Sequence, residues 1–338
     1  LEPTFSSNLH PFIGKNLGFN YQKQNCNCFA LAAVAAASTS FAQVSLTGEF
    51  AYGYLATTSG TGATASGGGL DTAQLVFAAG EDLGGGNRVD VTFKTDGSGG
   101  RGAALTNDDQ IIELTTGFGK IKAGSWKPGD WLSGVTAAST WYGLDGRVLS
   151  ARSYRDSIGV AVPLSKELTL SATAYEPAGA LGEGSGNAGQ SSQSSNVYGL
   201  NYKTGPVSVS AGYVTYNNQG TTDATAKEVS RVGGNYDFGA AKVGLGYQVI
   251  KYSGGGTNDQ ALATLSAPLA GPLSANLAWA SNKADTSLAN GTRTGYMTGL
   301  QYNLSKRTYT ILNYGSWTAA LGDSYTSSLT ALTLVHDF

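Results

Sequence analysis

From Gln43 onward, apolar side chains recur at every second residue, and this period constrains the fold more than any other feature of the chain. The stretch VSLTGEFAYGY sets Val44, Leu46, Phe50, Tyr52 and Tyr54 on one face and Ser45, Thr47 and Glu49 on the other. RVDVTFKTD opposes Val89, Val91 and Phe93 to Arg88, Asp90, Thr92, Lys94 and Asp96. In a soluble sandwich the apolar face would be the core and the polar face would meet solvent. In a membrane barrel the apolar face meets lipid and the polar face lines a wet lumen. The period alone does not separate the two, but strand number and the lengths of the connections do.

Sixteen segments carry the alternation: 43–56, 71–81, 87–96, 108–117, 120–126, 153–163, 166–176, 196–204, 206–217, 227–237, 240–251, 258–268, 271–282, 292–303, 307–318 and 326–338. Most approach the ~9–11 residues that a tilted strand needs to cross a bilayer. One set of connections is short, among them DLGGGN, GFGK, LSKE and NLSKR. The other set is mostly longer and rich in Gly, Ser, Thr and Asn: 57–70, 97–107, 127–152, 177–195, 218–226, 252–257, 283–291 and 319–325. Tight turns at one end and long loops at the other mark an outer-membrane barrel. Closure leaves no unpaired edge, and in hydrocarbon an open edge would be prohibitive. The final strand, ALTLVHDF, is therefore expected to close against the first, with Phe338 at the periplasmic interface.

Composition supports this and excludes other classes. Charged residues are only 13% of the chain, and glycine reaches 48 residues, a balance that suits short strands and turns rather than helices. The two histidines are His10 and His336, and the two cysteines Cys26 and Cys28. That leaves one histidine for the folded body, so a hydrolytic triad or a His/Cys metal site has no material. No cofactor and no metal site is expected, and no enzymatic activity. No Lys/Arg stripe stands out, so nucleic acid is not an expected partner. The GGG of residues 84–86 lacks the Lys-Ser/Thr and helix of a phosphate loop and reads as a tight turn. Asn107, Asp108 and Asp109 offer oxygen ligands without the spacing of a calcium loop, and read as a solvated loop.

FALAAVAAASTSFAQ is a short apolar run ending in Ser40-Phe41-Ala42. Small residues at the −3 and −1 positions suit signal-peptidase cleavage after Ala42, and the run is too short to span a bilayer. The expected organisation is an upstream segment with signal peptide over 1–42, removed, and a single barrel domain over 43–338.

Four places resemble the Gram-negative general porins, especially the betaproteobacterial type: Ala42-Gln43 with VSLTGEF, GEDLGGGNRVDVTFK (Gly80 to Lys94), GFGKIKAGSW (Gly117 to Trp126), and the closing VHDF. In scattered form the resemblance covers about residues 42–338. It implies an all-β, sixteen-stranded antiparallel transmembrane barrel that assembles as a homotrimer. It also implies that the third long loop folds into the lumen and that the assembly machinery reads the terminal Phe338. The expected surroundings are outer-membrane lipid and lipopolysaccharide.

In these porins, acids on the third loop face basic residues on the wall across a constriction. Here that loop is 127–152, which holds Asp130, Asp145, Trp131, Trp141 and Tyr142. By parity, wall charges include Arg88, Lys94, Lys122, Arg155, Glu49 and Glu113, with Arg152 at the loop–strand junction. Arg155 and Arg152 are the foremost wall cations, although Arg155 could instead pair with Asp156 at the loop base. Asp130 and Asp145 could face the lumen or sit in surface turns, and Lys94 could belong to the constriction or the vestibule. Glu113 could be a wall charge or could help pack the third loop. Trp126, Trp131 and Trp141 read as loop-packing or interfacial aromatics rather than a solute path. Where the family often carries Arg, this chain has Gln74, Ala78 and Ser125, so anion preference does not carry over. The expected function is a water-filled channel for passive diffusion of ions and small hydrophilic solutes. The alternatives are a substrate-specific channel and a non-channel outer-membrane barrel.

Overall fold

A computed structural model describes residues 43–97, 106–127, 132, 141–150, 155–176, 194–217, 225–286 and 289–338. The chain forms sixteen strands: β1 (Gln43–Thr58), β2 (Thr64–Gly84), β3 (Asn87–Asp96), β4 (Thr106–Thr116), β5 (Gly119–Trp126), β6 (Arg155–Pro163), β7 (Leu168–Glu176), β8 (Ser194–Thr204), β9 (Val207–Asn217), β10 (Ala226–Asp237), β11 (Lys242–Tyr252), β12 (Gly256–Ala270), β13 (Leu273–Thr286), β14 (Asn290–Asn303), β15 (Thr308–Thr318) and β16 (Thr326–Asp337). Each pairs antiparallel with its sequence neighbour, and β16 pairs with β1 to close the barrel. The Gly48 and Phe338 backbones exchange two hydrogen bonds of 3.0 Å at this seam. Closure satisfies the edge groups that hydrocarbon could not.

Alternation sorts the side chains as the sequence implied. On β16, Leu332 and Leu334 are about half exposed on the outer face, whereas Leu329, Ala331 and Thr333 are buried. Leu46, Tyr52, Leu245 and Tyr314 stand on the same outer surface. In the β2–β3 turn, Gly84, Gly85 and Gly86 take φ of 81°, 62° and 82°, a left-handed path open to glycine and costly for other residues.

Two stretches expected to be loops are strands. Ser66-Gly67-Gly68-Gly69 continues β2 and pairs with Gly53–Ala56 of β1. Its composition suggested a loop tip, but pairing uses the backbone, and the neighbouring strand supplies the template. Asn107–Asp109 lies in β4 rather than in a solvated loop. There the β3–β4 ladder shifts register between Phe93 and Thr95.

The inner wall departs from a uniformly polar lining. Leu262, Ala278, Ala280, Met297, Leu329 and Ala331 form a buried apolar strip from β12 to β16, and Leu132, Leu144, Val148 and Leu149 of the third loop pack on it. These described residues of the third loop thus lie against the inside of the barrel. Each Leu, Val or Met among them contributes about 1.5–3 kcal/mol on burial.

Candidate functional site

Within the third loop, the described segment Trp141–Ser150 is fixed to the wall at both ends. At one end Asp71 of β2 accepts hydrogen bonds from Trp141 Nε1 (2.9 Å) and the Tyr142 hydroxyl (3.0 Å). An ionised acceptor makes such bonds stronger than neutral ones. Burial, together with Asp71, pushes the Tyr142 phenol up to about 12. At the other end Gln260 of β12 receives Ser150 N (3.2 Å) and donates to Ser150 Oγ (2.9 Å). Asn282 of β13 donates to the Val148 carbonyl at 2.8 Å.

Between the ends, Leu144–Leu149 makes a compact turn. Val148 N and Leu149 N both donate to the Leu144 carbonyl, at 2.8 and 3.0 Å. Asp145 bridges to Leu149 within it. Arg147 donates to the Gly143 carbonyl at 2.9 Å and lies 5.9 Å from the Tyr142 ring and 5.4 Å from the Trp317 ring. Burial lowers its pKa, yet a guanidinium stays charged at any physiological pH.

Behind Gln260 runs a buried relay. Arg231 Nε donates to Gln248 Oε1 at 3.0 Å, Gln248 Nε2 to Gln260 Oε1 at 2.8 Å, and Gln260 Nε2 to Asn258 Oδ1 at 3.2 Å. Gln248 and Gln260 are each 1% exposed, so any member left unbonded would be costly.

The wall of β3–β5 carries the charges expected there, mostly in pairs. Lys94 Nζ lies 3.0 Å from Asp108, to which Gln74 also donates at 3.4 Å. The register shift in the ladder sets Asp108 beside Lys94, as a bulge re-aims a side chain. Arg88 pairs with Asp90 on its own strand at 2.7 Å, next to the short β2–β3 turn. Glu113 pairs with Lys120 at 2.5 Å and is the register partner of Lys122. Lys122 sits 4.4 Å over the Trp126 ring, a cation–π contact. Trp126 is buried and Trp141 is held by Asp71, so both belong to packing. Arg155 begins β6 opposite Trp126, and only its backbone is described. Arg152, Asp130 and Trp131 lie outside the described residues.

The sequence profile of Gram-negative porins matches residues 30–318. The chain belongs to the Gram-negative porin family. Among solved structures the porin is similar to the anion-selective porin from Comamonas acidovorans (TM-score 0.66, 18% identity, 88% of this chain and 100% of that one). It is also similar to OmpT of Vibrio cholerae in its trimer form (TM-score 0.68, 12% identity, 88% and 99%). A third is Salmonella typhi OmpF in complex with daunomycin (TM-score 0.69, 13% identity, 88% and 98%). Among curated proteins nothing matches. The porin is an outer-membrane protein whose sixteen-stranded barrel forms a channel for passive diffusion, and a barrel of that size encloses an aqueous lumen.

Sequence reasoning brought Lys94, Lys122, Arg88 and Glu113 to one wall of the porin, but it missed Asp71, Gln260 and Asn282, which hold the loop. A signal for the loop's seat was present. AWA (Ala278 to Ala280) and YM (Tyr296-Met297) are apolar at consecutive positions, so both faces of those strands are covered.

Proposed function

We propose that solutes are screened between the third-loop segment Trp141–Ser150 and the β3–β6 wall, with weak rather than strong ion preference. The observation that carries this is the Lys94–Asp108 pair at 3.0 Å. Strands β3–β5 hold four basic residues (Arg88, Lys94, Lys120, Lys122) and five acidic ones (Asp90, Asp96, Asp108, Asp109, Glu113). A wall so balanced focuses little net field on a passing ion. The Comamonas relative is named anion-selective; here the Gln at position 74 and the paired lysine argue for a milder pore. Arg155 and Arg152 remain the foremost additional wall cations, with Asp130 and Asp145 as loop acids opposite. Planar-bilayer recording in a salt gradient tests the reading. A reversal potential near zero is expected, and one close to the Nernst value of either ion would overturn it.

The porin is further proposed to catalyse no reaction, since the family and fold are those of non-enzymatic channels and His336 is hydrogen-bonded to the Thr308 hydroxyl at 2.9 Å. Assembly as a homotrimer is proposed from the trimer form of the Vibrio relative, with outer-membrane lipid, lipopolysaccharide and the barrel-assembly machinery as surroundings. Residues 1–42 are proposed to be removed on export, and N-terminal sequencing of the protein from outer membranes should begin at Gln43.

A further inference from the structure

At the short-turn end of the barrel, a concavity of about 460 Å³ opens between the β8–β9 and β10–β11 turns. Pairing register sets its lining. Lys203, Ser208, Asn235 and Gly244 follow one another in a single cross-strand row. Their strand neighbours Tyr202, Val209, Tyr236 and Leu245 are all exposed on the outer face, so parity turns the row toward the lumen. Gly244 adds no side chain to it. Lys242 has the same parity as Gly244 and lines the same concavity.

The acids nearby are engaged elsewhere. Asp237 accepts a hydrogen bond from Gly239 N at 2.8 Å, in a turn where Gly239 takes φ of 80°. Lys242 Nζ stays 3.8 Å from Asp237 Oδ2, too far for a hydrogen bond. Glu167, whose carbonyl accepts Lys203 N at 2.8 Å, takes the Ser165 hydroxyl on its carboxylate at 2.9 Å. Lys203 has no ion-pair partner among the described residues, and Ser208 and Asn235 make no side-chain hydrogen bond among them. Two ammonium groups, a hydroxyl and an amide thus converge on one hollow with donors free, beside a single carboxylate.

We propose that this concavity is an oxyanion site at the periplasmic mouth of the channel, taking a small hydroxylated anion with a carboxylate or phosphate head. The head lies between Lys203 and Lys242 in charge-assisted hydrogen bonds, and Ser208 and Asn235 meet the hydroxyls. The lining carries two positive charges and one negative, so a bound monoanion leaves it neutral. Its volume falls within the ~300–1,000 Å³ of small-molecule sites, where a few convergent polar groups fix orientation. None of its strands belongs to the β3–β6 wall, so it adds a binding step to the channel without altering the charge balance proposed there.

The test is block of single-channel chloride current by gluconate or inorganic phosphate, with the porin inserted into planar bilayers in one orientation. Each anion is expected to block reversibly and saturably, at far lower concentration from the short-turn side than from the loop side. Lys203→Gln with Lys242→Gln should weaken that block by about tenfold or more, as the loss of two charged donors implies. Ser208→Ala with Asn235→Ala should weaken gluconate block more than phosphate block. Lys306→Gln with Arg307→Gln removes the same charge from the β14–β15 turn and should leave block unchanged. Absence of block in the wild type would overturn the proposal, as would block indifferent to Lys203 and Lys242. Equal weakening by the two charge-removing pairs would also overturn it, since the rim would then act only through its overall charge.

Discussion

Gln260 and Ser150, 110 positions apart in the chain, hold each other by two hydrogen bonds, Gln260 Nε2 to Ser150 Oγ at 2.9 Å and Ser150 N to Gln260 Oε1 at 3.2 Å. The first is a strand residue and the second ends the described loop segment. Their contact ties the third loop to β12 and, through Gln248, to Arg231 on β10.

Gln260→Ala should therefore loosen the loop without opening the barrel. It leaves the buried Gln248 Nε2 without its acceptor and the half-buried Ser150 without its partner, at a cost of about 1–3 kcal/mol. Single-channel recordings should show more open-state current noise than wild type, whereas heat-induced unfolding on gels shifts only slightly. Noise equal to wild type would mean that the apolar strip alone holds the loop.

Asp108→Asn should leave Lys94 without its ion partner. The wall then gains a net positive charge, and the reversal potential in a salt gradient should move toward the anion side. Lys94→Met should move it the other way. Removing one member of a largely buried pair also costs stability, here about 1–3 kcal/mol, visible as a lower melting temperature in detergent.

Tyr142 supplies a pH signature. Its pKa is pushed up to about 12 by burial and by Asp71, against about 10 for an unfolded tyrosine. The folded state thus holds its proton more tightly than the unfolded one. The stabilisation is complete below pH ~10 and is lost as pH rises through ~12. Conductance noise should rise over that interval, and Tyr142→Phe should remove this component because no proton remains to be lost.

Gly48→Val should impair closure. A Cβ at Gly48 would run into the Gln74 carbonyl and the Phe338 ring, and overpacking of this kind costs roughly 1–3 kcal/mol. The yield of heat-modifiable, folded barrel should fall. Gly67→Ala, which meets nothing within 4 Å, should assemble normally.

The barrel itself was legible because lipid demands a uniform outer face. Leu46, Tyr52, Leu332 and Leu334 mark it at every second position, and the Gly-rich turn at 84–86 marks the end of a hairpin. Strand ends were less legible, as Ser66–Gly69 shows, because a strand can continue on backbone pairing alone when its neighbour does. Parity set the wall charges on the face opposite the apolar one. It could not assign their partners, since Lys94 meets Asp108 only through a local shift in register.

By itself, then, the sequence determined a closed sheet of alternating faces, because side-chain parity and hydrogen-bond closure are local demands repeated along every strand. The seat of the third-loop segment Trp141–Ser150 was decided only by tertiary structure. Asp71, Gln260, Asn282 and the strip around Met297 come from strands far apart in sequence. They become neighbours only when the cylinder closes, and the apolar inner wall is stable only once the loop covers it.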